Sequence, residues 1–366
     1  MGRISRRNLL KVSGGVGIAA LAGCAGNGNG NGGNGNGNGG NGNGNGNGSG
    51  GGGQTSISVG IPSAGTTSGQ ASNSFQRVVQ EVIDDIRWNN QETGGDPASL
   101  RQYEQGNVQA CTAGNFIVAS AVESVAPFDD RPIEELPFQA FSISPLHMHV
   151  LSVEGSGIQT TDDLIGSDFW ALPPQWGLRQ QAEAVMESVG IWDELVETDS
   201  IVDADTGDVA GLIEENQIEA LIAYGSGFQN LPGWATEVDA RADLQLVEFS
   251  DEFVDGANDT RGTSHSVIES YGWENQSFNG DDVDIYGADF QFFMGDEISR
   301  DVAYELARIS HENVENIQEG QPAYLDHSDP DVMASLFFDG LPVHPGTYDF
   351  LEDEGVDMSD HTRGEI

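Results

Sequence analysis

Residues 57–86 read ISVGIPSAGTTSGQASNSFQRVVQEVIDDI, and three kinds of segment follow one another within them. Ile57, Val59 and Ile61 alternate as in a β-strand, and Pro62 through Gly69 are small turn formers. Phe75, Val78, Val79, Val82, Ile83 and Ile86 recur at helical spacing, which predicts a helix with one buried stripe. A strand, a Gly/Ser/Thr turn and a helix start bring unpaired backbone N–H groups and the positive end of a helix dipole to one point, which favours a carboxylate or phosphate. That is the makeup of a binding site, not of a catalyst. The pattern returns at Phe169-Trp170-Ala171-Leu172, the loop Pro173-Pro174-Gln175-Trp176-Gly177, and a helix carrying Leu178, Ala182, Val185, Met186 and Val189. Two such starts, one per lobe and facing across a cleft, would clamp a small solute.

The amino end reads as targeting. Ser5-Arg6-Arg7-Asn8-Leu9-Leu10-Lys11 is a twin-arginine pattern, and the weakly apolar run behind it ends in Leu21-Ala22-Gly23-Cys24, the form cleaved before a lipidated cysteine. An ordinary signal peptide with an incidental Cys24 is the plainer alternative. The run is too short and glycine-rich to span a bilayer. From Asn27 to Gly53 the chain is nearly all Asn and Gly, which buries no apolar surface and is expected to act as a tether.

The 366 residues carry 59 acidic and 14 basic side chains, a net of −45. Removal of residues 1–23 takes Arg3, Arg6, Arg7 and the single lysine, Lys11, leaving 10 basic residues and a net of −49. Nucleic acids and anionic membranes are therefore poor partners. The acids are spread among periodic apolar segments, as on a solvated surface adapted to high salt, where screening removes self-repulsion. Of the two cysteines, Cys24 is the expected lipid site. Cys111 lies alone in an apolar strand, so no internal disulfide is expected and the thiol reads as core.

In chain order, Trp88 to Gln91 is extended, and Asp96 as N-cap with Pro97 behind it starts a helix that Gly106 ends. The turn Thr93-Gly94-Gly95 is thus a third helix start on the first lobe. A strand from Val108 to Ala113 and a helix opened by Asn115 continue an alternating pattern, which argues an α/β lobe with a mainly parallel sheet. Apolar runs at Phe138–Ile143 and Leu146–Val153 mark the crossing to the second lobe. His147 and His149 share one strand face; with no nearby Cys or His partner they read as structural rather than as a metal pair. Ile158 to Leu164 reads as a capped helix start. Asp203, Asp205 and Glu214 have calcium-loop-like spacing, but Gly207-Asp208 stand in the wrong order, so Thr206 or Asp208 reads as a cap on a helix from Val209 to Glu215. A buried strand ends at Tyr224-Gly225-Ser226-Gly227, the small-residue signature of a ligand-facing strand end. Residues 250–279 give no assignment. Ile285 to Met294 reads as a strand, and Ser299 caps an amphipathic helix.

The closing segment Leu341-Pro342-Val343-His344-Pro345-Gly346-Thr347-Tyr348, with Gly355 beyond its helix, resembles the carboxyl-terminal signature of the TAXI family of TRAP-transporter solute-binding proteins. Thr93-Gly94-Gly95 is similar to the family's Gly-Gly-Ser turn, and Gly106-Asn107-Val108-Gln109 to its Gly-glutamate-x-Asp strand start. Gly157-Ile158 through Asp163-Leu164 and Gln217-Ile218-Glu219-Ala220 are similar to two further family segments. The resemblance implies an α/β, two-lobed type II periplasmic-binding-protein fold with a ligand cleft between lobes. With the signal at 1–23 and the tether at 24–54 read above, residues 55–147 with 262–366 are expected to form lobe one and 148–261 lobe two. The resemblance also implies a role beside TRAP membrane permease subunits, with glutamate, a dicarboxylate or a 2-oxo acid as solute. The family's Gly-Gly-Thr-Tyr-Tyr turn falls near Gly65, Thr66, Thr67 and Ser68, and its Gly-Ser-Gly-Thr turn on Gln175, Trp176, Gly177 and Leu178. Both depart from the pattern: Trp176 and Leu178 stand where the family has small hydroxyl residues, and the Trp176 indole offers an apolar or stacking wall.

The expected ligand-binding set is Gly65, Thr66, Thr67, Ser68, Thr93, Gly94, Gly95, Asn115, Gln175, Trp176, Gly177, Arg179 and Tyr224. Arg179, in the first turn of a helix and one of few cations, reads either as the partner of an anion or as an ion pair with Glu183. No catalytic residue, cofactor or metal is expected, and the chain is expected to be a monomer attached to the membrane only through Cys24, on the outer face of the cell. An exported enzyme on the same fold lacks support: Ser-x-x-Lys, Gly-x-Ser-x-Gly, a metal-spaced His/Cys set and a mature-chain lysine are all missing. A sensor domain signalling through a membrane partner is the third reading.

Overall fold

β1 (Thr55–Ile61) turns Ile57, Val59 and Ile61 inward, and α1 (Thr67–Val82) follows it, N-capped by Thr66, whose Oγ1 accepts the N–H of Gly69 at 3.1 Å. The computed structural model that shows this describes residues 54–366. The twin-arginine pattern, Cys24 and the Asn/Gly tract lie outside the described residues. α1 is shorter than its periodicity suggests. Ile83 is already extended, at φ −136° and ψ 134°, and Ile86 opens β2 (Ile86–Glu92). Parallel pairing with β1, from Thr55↔Ile86 to Ile61↔Glu92, prevails over another helical turn. Ile86 is buried from a strand as a result, while Val82 is 44% exposed.

α2 (Asp96–Glu104), β3 (Ala110–Gly114) and α3 (Asn115–Glu123) continue the alternation. Asp96 is not the N-cap: Gly95 takes that position, Asp96 is the first helical residue, and Pro97 follows where a missing N–H costs nothing. The two apolar runs beyond are one strand, β4 (Phe138–Val153). The helix expected near Ile158 is a single 3-10 turn, Thr161–Leu164, closed by a Thr160–Asp163 capping box. β5 (Phe169–Trp170), α4 (Gly177–Ser188), α5 (Ile191–Glu197), α6 (Val209–Glu214), β6 (Ala220–Ser226), α7 (Gly233–Arg241) and β7 (Leu244–Leu246) come next. The unassigned stretch holds α8 (Asp251–Asp259) and β8 (His265–Glu269). β9 (Asp282–Met294), α9 (Arg300–Glu312), α10 (Val314–Gln318), α11 (Pro330–Ala334) and α12 (Pro345–Asp353) complete the chain.

The strands form one sheet in the order β2-β1-β3-β9-β4-β6-β5, with β7 also on β4 and β8 on β9. β4 and β9 are long antiparallel partners, and each serves both halves of the sheet. Residues 290–294 of β9 pair with β3 and with the first part of β4; residues 282–286 pair with β8; residues 146–152 of β4 pair with β6. The parallel unit β1–α1–β2 belongs to one half and the parallel pair β5 and β6, with α4, to the other. This is a two-lobed α/β fold joined through two shared strands. In the first half Phe75, Trp88, Phe141 and Phe292 lie with ring centroids 5.0–5.5 Å apart, largely edge to face, and all four are buried.

Candidate functional site

The loops after β1, β2 and β5 meet around a cavity of about 270 Å³, near the lower end of the roughly 300–1,000 Å³ usual for small-molecule sites. Pro62 and Ser63 enter from the first loop with Thr66, Thr67 and Ser68 at the start of α1. Gly94, Gly95 and Asp96 bring the start of α2, and Gln175, Trp176, Gly177 and Leu178 that of α4. Leu146 of β4, Tyr224 of β6 and Phe290 of β9 supply apolar wall from the long central strands and their neighbour.

Three helix N-termini therefore converge. The 16-residue α1 is capped by Thr66, whereas the 9-residue α2 and the 12-residue α4 begin at Gly95 and Trp176 with no side-chain cap. Glycine is required at two of these starts. A Cβ on Gly95, which sits at φ +155°, would come within 2.8 Å of the Gln175 carbonyl oxygen. One on Gly177 would lie 2.7 Å from Asp96 Oδ2 and 2.9 Å from Ile117 Cγ1. Only bare backbone lets α2 and α4 approach this closely. Thr67 Oγ1 lies 3.0 Å from Ser226 Oγ, a further tie between the halves.

Nine of the thirteen expected residues line the cavity: Thr66, Thr67, Ser68, Gly94, Gly95, Gln175, Trp176, Gly177 and Tyr224. The other four do not. Gly65 is on the exposed side of its turn, donating to Ser63 Oγ at 3.3 Å. Thr93 holds the second turn from behind, its hydroxyl 2.7 Å from Ser99 Oγ and 3.0 Å from the Ile61 carbonyl oxygen. Asn115 is buried in a polar network, donating to the Leu336 carbonyl and accepting from Gln291 Nε2, each at 2.7 Å.

Arg179 faces away from the cavity. It stands two positions after Gly177, about 200° round a helix that turns ~100° per residue. Its guanidinium donates to Glu183 Oε1 at 2.7 Å, to the Leu172 carbonyl at 2.8 Å and to Asp203 Oδ1 at 3.2 Å, and its Cζ lies 4.7 Å from the Trp192 ring centre. Of its two readings, the ion pair is the one the structure contains.

Among the described residues no lysine or arginine lines the cavity, nor any histidine or cysteine. Its one ionisable carboxyl is Asp96, which sequence reading assigned to a cap. The side chain is instead buried: the residue is 3% exposed, Oδ2 accepts the Gly114 N–H at 3.3 Å, and Oδ1 has no hydrogen-bond partner among the described residues. Burial pushes its pKa up from 3.8 to about 7, the Gly114 hydrogen bond opposing the shift. The only local hint was the pair of flanking glycines, since nothing in Gly94-Gly95-Asp96-Pro97 says which way the carboxylate turns. Leu146, Leu178, Pro62, Ser63 and Phe290 were also missed; the two strand residues belong to the long pair whose pleat had read as plain core.

His147 and His149 are structural. His149 Nδ1 lies 3.0 Å from the His147 carbonyl and its Nε2 accepts the Trp273 indole N–H at 3.1 Å, so both nitrogens are engaged. Burial lowers both histidines to about 4 and keeps them neutral. Among the described residues no group of three or more His, Cys, Asp or Glu side chains is placed to hold a metal ion, and no helix is long and apolar enough to cross a membrane. Asp208 stands at the N-cap of α6 without a side-chain capping bond. Cys111 is fully buried, and burial raises its thiol.

Residues 62–355 match the model of a family described as the NMT1-like family. Among curated proteins none matches the sequence. Solved structures with a similar course of chain include MatC from Rhodopseudomonas palustris with bound malate, at 9% identity and TM-score 0.46, covering 77% of this chain and 93% of that one. Another is the alkanesulfonate-binding protein SsuA from Xanthomonas axonopodis pv. citri bound to MOPS, at 10% identity and TM-score 0.40, covering 82% and 84%. A third is a putative L-cystine ABC transporter from Listeria monocytogenes, at 9% identity and TM-score 0.41, covering 74% and 96%.

Proposed function

Because this chain belongs to the NMT1-like family, we propose that it is an extracytoplasmic solute-binding receptor that takes up a small organic anion and hands it to a TRAP membrane permease. The observation that carries this reading is the meeting of three helix starts on one small cavity. Each start favours an anion by about 0.3–1 kcal/mol, rising towards ~2 where it is partly buried. Hydrogen bonds from N–H groups to a charged oxygen add about 1.5–3 kcal/mol apiece. Together they hold an anionic end group without any arginine. Trp176, Tyr224, Leu146, Leu178 and Phe290 enclose the remainder of the solute. Amino acids such as glutamate, dicarboxylates and 2-oxo acids have the right size and charge.

In this proposal residues 55–147 with 262–366 form one lobe and 148–261 the other, and both close on the solute without converting it. Twin-arginine export and lipid attachment at Cys24 hold the receptor on the outer face of the membrane. The test is thermal unfolding of the protein in molar salt against amino acids, dicarboxylates, 2-oxo acids and short aromatic acids. Stabilisation by one class, weakened in Trp176→Ala and without consumption of the compound, is the expected result. Consumption of a compound with no stabilising acid would replace the receptor with an enzyme.

A further inference from the structure

Three side chains of the cavity wall form one apolar surface, and it narrows the class of solute, an inference that rests on the receptor reading above. Leu146 of β4 stands opposite Ser226 of β6 and Ala288 of β9. Tyr224 stands opposite Met148, and Phe290 opposite Ser144, each two positions along β4 from Leu146. Side chains two positions apart share a sheet face, so Phe290, Leu146 and Tyr224 lie side by side across β9, β4 and β6. They are 7%, 3% and 2% exposed, and they line the cavity together with Leu178 and Trp176. The one polar atom on this surface is the Tyr224 hydroxyl, and burial keeps the phenol neutral by pushing it up to about 12.

A carboxylate seated on that surface would shed its water and gain at most one neutral hydroxyl in return, which is unfavourable for a buried ionised group. The polar side of the cavity is different. Its hydroxyls are already hydrogen-bonded within the protein: Thr66 Oγ1 donates to the Ser63 carbonyl at 2.8 Å, Thr67 Oγ1 lies 3.0 Å from Ser226 Oγ, and Ser63 Oγ accepts the Gly65 N–H at 3.3 Å. The donors left are the first-turn N–H groups of the converging helices, which serve one anionic group. We propose that the solute carries a single carboxylate, held by the helix starts, and an uncharged branched or aromatic body lying on Phe290, Leu146 and Tyr224 and against Trp176 and Leu178. Branched and aromatic 2-oxo monoacids have this form. A dicarboxylate of the same length places its second charge where the wall is apolar, and affinity rises with the apolar area of the body.

The experiment compares acids in pairs that exchange a terminal carboxylate for a dimethyl group of the same shape, 2-oxoglutarate with 5-methyl-2-oxohexanoate and glutarate with 5-methylhexanoate. Each is titrated calorimetrically into the full chain in molar salt at pH 8, where every carboxylate of the four is ionised. In at least one pair the singly charged member is expected to bind tenfold or more tightly than the diacid, with a negative heat-capacity change. Leu146→Thr, which puts a hydroxyl into the apolar surface with a residue that suits a strand, is expected to narrow that ratio threefold or more. The ratio in the unsubstituted protein is read without any variant. A preference below tenfold in both pairs, a preference for the diacid, or a ratio that Leu146→Thr leaves within threefold of the parent's would overturn the apolar-body assignment and leave the receptor standing. Binding of none of the acids, singly or doubly charged, would overturn both.

Discussion

Water is excluded from the Asp96 carboxyl, and one N–H from Gly114 does not make up for it, so the group sits at about 7 where an exposed aspartate sits near 3.8. The sign follows directly. Between about pH 4 and 7 the folded chain holds a proton there that the unfolded chain has released, so stability falls as pH rises through that window, by up to about 1.4 kcal/mol per unit, and levels off above it. Asp96→Asn lacks this component. Its melting temperature, measured beside that of the parent from pH 4 to 8 in the same salt, should gain on the parent steadily between pH 5 and 7; parallel curves would mean that Asp96 is ionised throughout. Arg179 gives the opposite kind of prediction. Its guanidinium is anchored by two acids, a carbonyl and the Trp192 ring, so Arg179→Ala should destabilise the fold by about 2–4 kcal/mol while solute affinity measured by calorimetry stays within about threefold. A large loss of affinity with unchanged stability would return Arg179 to the site. Neither role was legible locally, because i,i+4 spacing offers Glu183 as a partner without saying that the side chain turns outward, and Asp before Pro reads as a cap whichever way it points.

At the scale of elements, the contact between the starts of α2 and α4 rests on the absence of side chains. Gly177→Val would push its new atoms into Asp96 and Ile117, a displacement costing about 1–3 kcal/mol, and would lift the first turn of α4 off the cavity. A tenfold or greater loss of solute affinity is expected by titration, with a smaller fall in melting temperature than Arg179→Ala produces. Binding equal to the parent's would show that the close approach is dispensable. The strand, turn and helix units themselves were legible, since period-2 and period-3.6 apolar patterns and small turn residues are local properties. Their ends were less so. Ile86 fits the stripe of α1 and also the pleat of β2, and only a neighbouring strand at Thr55–Ile61 decides between them.

For the whole molecule, charge dominates. The arginines of the described residues are engaged with acids or carbonyls, as Arg101 with Glu104, Arg308 with Glu305 and Glu312, and both Arg300 and Arg363 with Asp349. These pairs are few beside 59 acids, so self-repulsion is left to the solvent to screen, over about 10 Å at 0.1 M salt and ~3 Å at 1 M. The melting temperature should therefore rise by roughly 10 °C or more between 0.1 M and molar salt. A flat salt response in scanning calorimetry would mean that the acids do not set the stability.

By itself the sequence determined the alternation of strands and helices, the three helix starts, the acid-rich composition and the lack of a lysine beyond Lys11, because each is a matter of spacing or count along the chain. Tertiary structure alone decided that the starts of α1, α2 and α4 meet, that Arg179 turns from the cavity, and that Asp96 is buried with one oxygen unpaired. Those outcomes depend on which surfaces of distant segments come within a few ångströms of each other, and β4 and β9, by running through both halves of the sheet, fix that distance.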